Sequence, residues 1–302
     1  MAHLAACGGI PVRTKPFPKW PIWDHREEEA LLGALRRGQW GIGSSIIEEF
    51  EKKFASVCGT KHAISCTNGT DAILIGLQAL GVRAGDEVII PPYTFLATAT
   101  ACLMCNAVPV FVDIDPDTYN LDPDLVEAAI TDRTRAIVPV HIAGNPAAID
   151  RIMSIAEKHN LRVLEDSAQA HGARFGDKMA GSIGDVGTWS FQSTKNVSSG
   201  EGGVATTNDE AVFDQLFSFQ NCGRVREGQW YEHHNMSGNH RLSAFQASVL
   251  IVQLDRMEEL CVRREENAVH LDSRLRDIGG VEPTRMHPGA TRHAYHLYIF
   301  RY

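Results

Sequence analysis

Four short stretches of the chain hold residue types that do chemistry, and each follows a run of apolar or β-branched residues. Thr67-Asn68-Gly69-Thr70-Asp71 comes after His62–Cys66. Such a turn, opening a helix, offers free backbone N–H groups and the positive end of a helix dipole to a phosphate; an ordinary capped helix start has the same composition. Glu165-Asp166-Ser167-Ala168-Gln169-Ala170-His171-Gly172 follows Arg162–Leu164. Its carboxylates, amide and imidazole suit a ligand ring, and a solvated turn is the plain alternative. Lys195 stands in Gln192-Ser193-Thr194-Lys195-Asn196, ahead of Ser198-Ser199-Gly200-Glu201-Gly202-Gly203. Buried there, its amine would have a lowered pKa and be competent to form a Schiff base; in solvent it would be one more loop charge. Pro91-Pro92-Tyr93-Thr94-Phe95 sets aromatics at the end of a further run, to face a ring or to pack a core. Jointly the four stretches supply the parts that pyridoxal phosphate needs: a lysine, a carboxylate for the pyridine nitrogen, an aromatic face and a phosphate cradle.

The elements that must position these residues read as an alternation. His62–Cys66, Glu87–Ile90, Val108–Val112, Ala136–Val140 and Arg162–Leu164 are predicted strands. Thr70–Leu80, Thr94–Cys105, Pro123–Thr131 and Ala147–His159 are predicted helices, the third capped by Asp122 with Pro123 at its first position. Strands apolar on both faces, separated by helices, imply βαβ units and an α/β fold with a mainly parallel sheet covered on both sides. Ligands of such sheets sit beyond the carboxyl ends of the strands, where all four stretches fall. Thr188–Phe191 and Gly203–Thr207 read as two further strands around the lysine loop, Leu242 to about Ile278 as a long helix, and His293–Tyr302 as a strand. A chain stopping inside a strand is expected to belong to a longer polypeptide.

Composition bounds the function. The 302 residues carry 29 Lys+Arg against 37 Asp+Glu, a net charge of −8, with no basic block longer than a pair. That charge removes the basis for binding nucleic acid along the whole chain. No apolar run is long enough to span a membrane, and Met1–Gly9 lacks the regions of a signal peptide, so a cytoplasmic location is expected. The 7 cysteines are odd in number and scattered, unlike a secreted disulfide framework. Cys102 and Cys105 form a CxxC in an apolar helical stretch and read as buried small hydrophobes. His233 and His234 lack a third ligand at helical spacing, and no metal is expected. Arg224 and Arg226 are open to an acidic substrate, a partner subunit or solvent; Arg263-Arg264-Glu265-Glu266 reads as a charged helix face. His141 and His171 stand at strand ends, from which either could reach a substrate.

Over nearly its whole length the chain resembles the DegT/DnrJ/EryC1/StrS family of pyridoxal phosphate-dependent aminotransferases. The resemblance rests on Trp40-Gly41, Phe50-Glu51, Asn68-Gly69-Thr70, Gly85-Asp86-Glu87-Val88, Pro92-Tyr93-Thr94-Phe95, Val140-His141, Glu165–Gly172, Ser190-Phe191, Lys195 and Gly200-Glu201-Gly202-Gly203. It implies the aspartate-aminotransferase-like (type I) fold, with a large cofactor domain over residues 1–250 and, over 251–302, a linking helix and the truncated start of a small domain. It implies Lys195 as the Schiff-base lysine, Asp166 as the partner of the pyridine nitrogen, Gln169 near the ring hydroxyl and Phe95 stacked on the ring. Gly69, Thr70 and Ser190 would hold the phosphate, completed by Asn239 from the second subunit of a homodimer, whose active site would then be shared. The implied reaction moves an amino group from glutamate or glutamine to a keto sugar or keto cyclitol. Trp20-Pro21, Gly38-Gln39-Trp40, Thr118–Asp122 and Tyr298–Tyr302 are similar to the scyllo-inosose aminotransferase and 3-amino-5-hydroxybenzoate synthase branches. Thr194-Lys195-Asn196 instead has the form found in sugar aminotransferases. Two alternatives stay open at this point: a dehydratase or aromatising synthase of the second branch, and a pyridoxal phosphate-binding regulatory protein without turnover.

Overall fold

The structure, a computed structural model, describes residues 3–302. Seven strands form the central sheet: β1 (His62–Cys66), β2 (Glu87–Ile90), β3 (Val108–Phe111), β4 (Thr134–Ile137), β5 (Arg162–Asp166), β8 (Val186–Ser190) and β9 (Gly203–Thr207). Between β5 and β8 lies the small pair β6 (Arg174–Phe175) and β7 (Lys178–Met179). The sheet order is β1-β9-β8-β5-β4-β2-β3, and β9 alone runs against the others.

Strict alternation of buried side chains shows why this sheet is covered on both faces. Val88 and Ile90 of β2, Ala136 of β4 and Leu164 of β5 enter one core with helices α3 (Gly69–Ala79) and α4 (Ala97–Met104). Their neighbours Ile89, Ile137 and Val163 enter another, with α5 (Pro123–Val126) and α6 (Ile149–His159). Packing is tight where α3 crosses β5: a Cβ on Gly76 would stand 2.7 Å from Leu164 Cδ1. A third core joins Trp189 and Phe191 to α2 (Ser45–Cys58) and α8 (Ala244–Leu275). There Phe54 meets Trp189 and Phe191 edge-on, at ring separations of 5.4 and 5.6 Å.

Three helices have no counterpart in the sequence reading: α1 (His25–Arg37), α2 and α7 (Glu210–Gln220). A signal for α1 was present, since Asp24 and Glu27 form a capping box. Arg256 of α8 then pairs with both carboxylates, at 2.8 and 2.9 Å, and fixes α1 against α8. Elsewhere the predicted elements recur with their ends shifted by a few residues, and β1, β2 and β9 keep the predicted bounds.

The segment His293–Tyr302 is not one strand. Only β12 (Phe300–Arg301) is extended and paired, with β10 (Glu282–Pro283), while β11 (Ala290–Arg292) joins β6. Between them the N–H groups of Ala294 and His296 donate to the carbonyls of Gly144 and Ala143, at 2.9 and 2.8 Å, and Tyr295 takes φ 44°. Those bonds hold the segment on the loop after β4 and remove it from any ladder. Among the described residues no helix is long and apolar enough to cross a membrane.

Candidate active site

Four of the sequence-derived positions converge at the carboxyl end of the parallel strands. Asp166 ends β5 and is buried. One carboxylate oxygen accepts from Thr98 Oγ1 at 2.7 Å and the other from the Ala168 N–H at 3.2 Å. Thr98 also contacts the Thr94 hydroxyl at 2.8 Å, so the turn into α4 that carries Phe95 is tied to this acid. Burial raises the pKa of Asp166 above the ordinary carboxylate range, against the pull of Thr98, Ala168 and the Lys195 charge.

Lys195 lies in the loop joining β8 to β9. The Phe191 N–H donates to the Gly202 carbonyl at 2.8 Å and Gln192 bridges to Gly200, closing the mouth of the loop. A turn from Gln192 O to Lys195 N, at 2.9 Å, presents the lysine. Its amine has no hydrogen-bond or ion-pair partner among the described residues. Burial lowers its pKa and the Asp166 charge raises it part of the way back. The two groups sense each other without touching.

The third part is the start of α3. Asn68 caps it through its side chain, which accepts from the Asp71 N–H at 2.9 Å. The N–H groups of Gly69 and Thr70 keep no acceptor among the described residues, as first-turn donors do without a ligand or water. A Cβ on Gly69 would stand 2.6 Å from Ser190 Cβ, so the absence of a side chain brings the helix start against the end of β8. Gly69→Ala is therefore expected to weaken cofactor binding by about tenfold to a hundredfold, the scale of a forced shift in packed atoms. Equilibrium dialysis of the folded variant checks it; unchanged affinity would remove Gly69 from the cradle.

Gln169 Oε1 accepts from the Ala143 N–H at 2.7 Å, and Phe95 is exposed just before α4. Asn239 is exposed on a loop held by its own chain: the Thr67 N–H donates to His240 O at 2.9 Å, and His240 contacts Asp71 at 3.2 Å.

Several sequence candidates prove to be structural. His141 is fully buried; its Nδ1 accepts from the Ala147 N–H at 3.0 Å, so Nε2 donates to Glu165 at 2.9 Å. Glu165, adjacent to Asp166, was part of the candidate acidic turn but points away into a nest of the Gly181, Ile183 and Gly184 N–H groups. Although burial raises its pKa, His141 and the Gly184 and Gly181 N–H groups outweigh this and hold it below 4.5. A depressed acid contributes stability that is present above its unfolded pKa and lost as pH falls through the folded one. Glu165→Gln is thus expected to cost about 1–3 kcal/mol of unfolding free energy near neutrality, and less on acidification through the depressed pKa of the glutamate. Denaturant titrations at two pH values check this; equal losses at both would refute it.

His171 is buried between the rings of Trp189 and Phe191, and burial pushes its pKa down to about 3. Arg226 pairs with Glu210 and Asp214 of α7, and Arg224 stacks over Trp230 at 4.3 Å. His233 binds the Cys222 carbonyl and His234 binds Glu232. Cys102 and Cys105 are buried thiols, pushed up to about 12 and about 11. Arg263 lies on an exposed face and pairs with Glu259, but Arg264 turns inward and donates to the Tyr295 carbonyl at 3.0 Å, contrary to the expectation of a charged face. His296, which carried no sequence signal of its own, reaches Asn196 beside the lysine at 3.3 Å.

A model of the DegT/DnrJ/EryC1/StrS aminotransferase family matches residues 21–302. The chain belongs to this family. DegT/DnrJ/EryC1/StrS aminotransferases depend on pyridoxal phosphate, and this α/β chain, with its mainly parallel sheet flanked by helices, superposes on proteins of that aminotransferase fold. The L-glutamine:2-deoxy-scyllo-inosose aminotransferase of Streptomyces kanamyceticus is 40% identical over 313 residues, covering 99% of this chain and 73% of that protein. The crystal structure of 3-amino-5-hydroxybenzoic acid synthase superposes with a TM-score of 0.92 at 39% identity, covering 96% of this chain and 76% of that one. NtdA from Bacillus subtilis, solved with bound PMP, gives a TM-score of 0.82 at 30% identity, covering 91% of this chain and 63% of that one.

Proposed function

We propose that this aminotransferase moves an amino group from L-glutamine or L-glutamate to a keto cyclitol or keto sugar, with Lys195 and Asp166 as its catalytic residues. One observation carries the residue assignment: a buried carboxylate at the end of β5 and a partnerless, partly buried amine on the loop after β8, the strand paired with β5, beside a helix start with free N–H groups.

The donor set fits pyridoxal phosphate. Gly69, Thr70 and Ser190 would take the phosphate at the start of α3, as helix starts take anions. Phe95 and Gln169 would border the ring, and Asn239 of a second copy would complete the phosphate site in a homodimer. When bound, the cofactor would act as an electron sink for the electron pair left on the donor's Cα when its proton departs. Asp166 holds a proton at the ring nitrogen. Lys195, whose burial favours the neutral amine, would take the donor's Cα proton onto Nζ and give it up again to complete the transfer. The Thr98 hydroxyl, itself held by Thr94, orients the carboxylate, and the closed mouth of the loop fixes the backbone that carries the amine.

The acceptor class follows the likeness to the 2-deoxy-scyllo-inosose enzyme, and the likeness to the aromatising synthase keeps a dehydration in view. One experiment separates them. The cofactor's amino form is mixed with keto cyclitols and nucleotide-linked keto sugars, and the products are identified by mass. An amino cyclitol or amino sugar supports the proposal; loss of water with aromatisation supports the synthase; no product from any acceptor, or no amino uptake from glutamine or glutamate, defeats it.

A further inference from the structure

One wall of this site holds hydrogen-bond donors that have no acceptors. Helix α8 carries Arg256, Arg263 and Arg264 on its middle turns, and the first two are neutralised by carboxylates. Arg264 has no carboxylate partner among the described residues. Its guanidinium lies 5.0 Å over the Trp20 ring and spends one N–H on the Tyr295 carbonyl. Nε1 of Trp20 is itself buried without an acceptor. His296 follows Tyr295 and is held by Asn196, next to the lysine.

Two histidines report how these charges are arranged. Burial lowers the pKa of both His171 and His296, and the positive charges of Lys195 and Arg264 lower each further. The link is also geometric: Arg264 holds the Tyr295 carbonyl, and the next residue, His296, holds Asn196, the neighbour of Lys195. Burial also presses on Arg264 itself. A desolvated guanidinium with open donors is costly until an anion meets it, and its planar fork matches a carboxylate. A diphosphate would call for further cations, yet the nearby Arg256, Arg263 and Arg292 are committed to carboxylates.

We infer that Arg264, assisted by the Trp20 indole N–H, is the subsite for the α-carboxylate of the amino-acid donor. The inference rests on the aminotransferase reading above. An amino acid's reacting nitrogen and its carboxylate share one carbon, so the group that reads the carboxylate must stand near the lysine, as this wall does.

Glutarate, a dicarboxylate without an amino group, is the probe. Its binding to the cofactor-loaded protein is measured by calorimetry in wild type, Arg264→Met, which keeps a stem over Trp20, and Arg264→Lys, which keeps the charge without the fork. Affinity is expected to fall about tenfold to a hundredfold in Arg264→Met and by less in Arg264→Lys, the scale of a lost charge-assisted pair. The KM for the amino donor should rise by the same factor while the acceptor half-reaction stays within about twofold. The inference is overturned if wild type does not bind glutarate, if a folded Arg264→Met binds it unchanged, if both half-reactions fall equally, or if only the acceptor half falls. Should Arg264→Met fail to fold, the Arg264→Lys values decide by the same criteria. Failure of the aminotransferase reading looks different: glutarate would still bind in an Arg264-dependent way while wild type takes up no amino group from any donor.

Discussion

Lys195→Ala should lose at least about 10⁴-fold in amino-group transfer, because the substitution removes both the nucleophile that anchors the cofactor and the base that moves the Cα proton. The fold should survive it. The backbone of the turn is kept by the Lys195 N–H on Gln192 O, and Asn196 remains fixed on the Ala294 carbonyl at 2.9 Å, so neither neighbour depends on the amine. Without cofactor, the unfolding temperature is expected to change little, since the amine has no protein partner to lose. The measurement has two parts. After borohydride reduction and denaturation, wild type should retain the cofactor covalently and the variant should release it. Turnover with glutamine and an accepted keto substrate should then fall as stated, and a small exogenous amine should return part of it by standing in as base. Covalent retention in the variant, or turnover within tenfold of wild type, would assign the chemistry to another group.

How much of this site the sequence held depends on what fixed each residue. Gly69, Asp166 and Lys195 were legible because they follow strands, and topology alone brings strand ends together. Both faces of β2 and β5 are apolar, so the parallel sheet was readable from Val88 to Ile90 and from Val163 to Leu164. Residues that reach the site by folding back from afar were not readable. Nothing near His296 announces that its N–H will find Ala143, and Arg264 in an Arg-Arg-Glu-Glu run has the composition of a solvated face. His141 and Glu165 look like catalytic residues at strand ends, but a backbone nest and a shared proton consume them. Only three-dimensional partners separate such a buried pair from a reactive one. Helix α2, by contrast, has a local signal, since Phe50 and Phe54 recur at helical spacing and are both buried.

Asp166→Asn should lower transfer by about 10²- to 10⁴-fold while Lys195 still attaches the cofactor, because the two residues act on different atoms. The physical basis is the cost already present in the protein. Burial raises the pKa of Asp166, and one hydroxyl and one N–H offset only part of that penalty. A protonated ring nitrogen would supply the missing positive charge, so the carboxylate and the cofactor stabilise each other, and cofactor should raise the unfolding temperature of wild type more than that of the variant. An asparagine can keep the bond with Thr98 or Ala168 but cannot hold a proton on the ring. Thr98→Val, which leaves the charge in place and removes one hydrogen bond, should cost only about tenfold. A cofactor analogue methylated on the ring nitrogen carries a fixed positive charge and no longer needs the acid to keep it. With that analogue the gap between wild type and Asp166→Asn should shrink at least tenfold. If the gap stays as large as with the natural cofactor, Asp166 acts by shaping the pocket and the electrostatic role assigned to it is wrong.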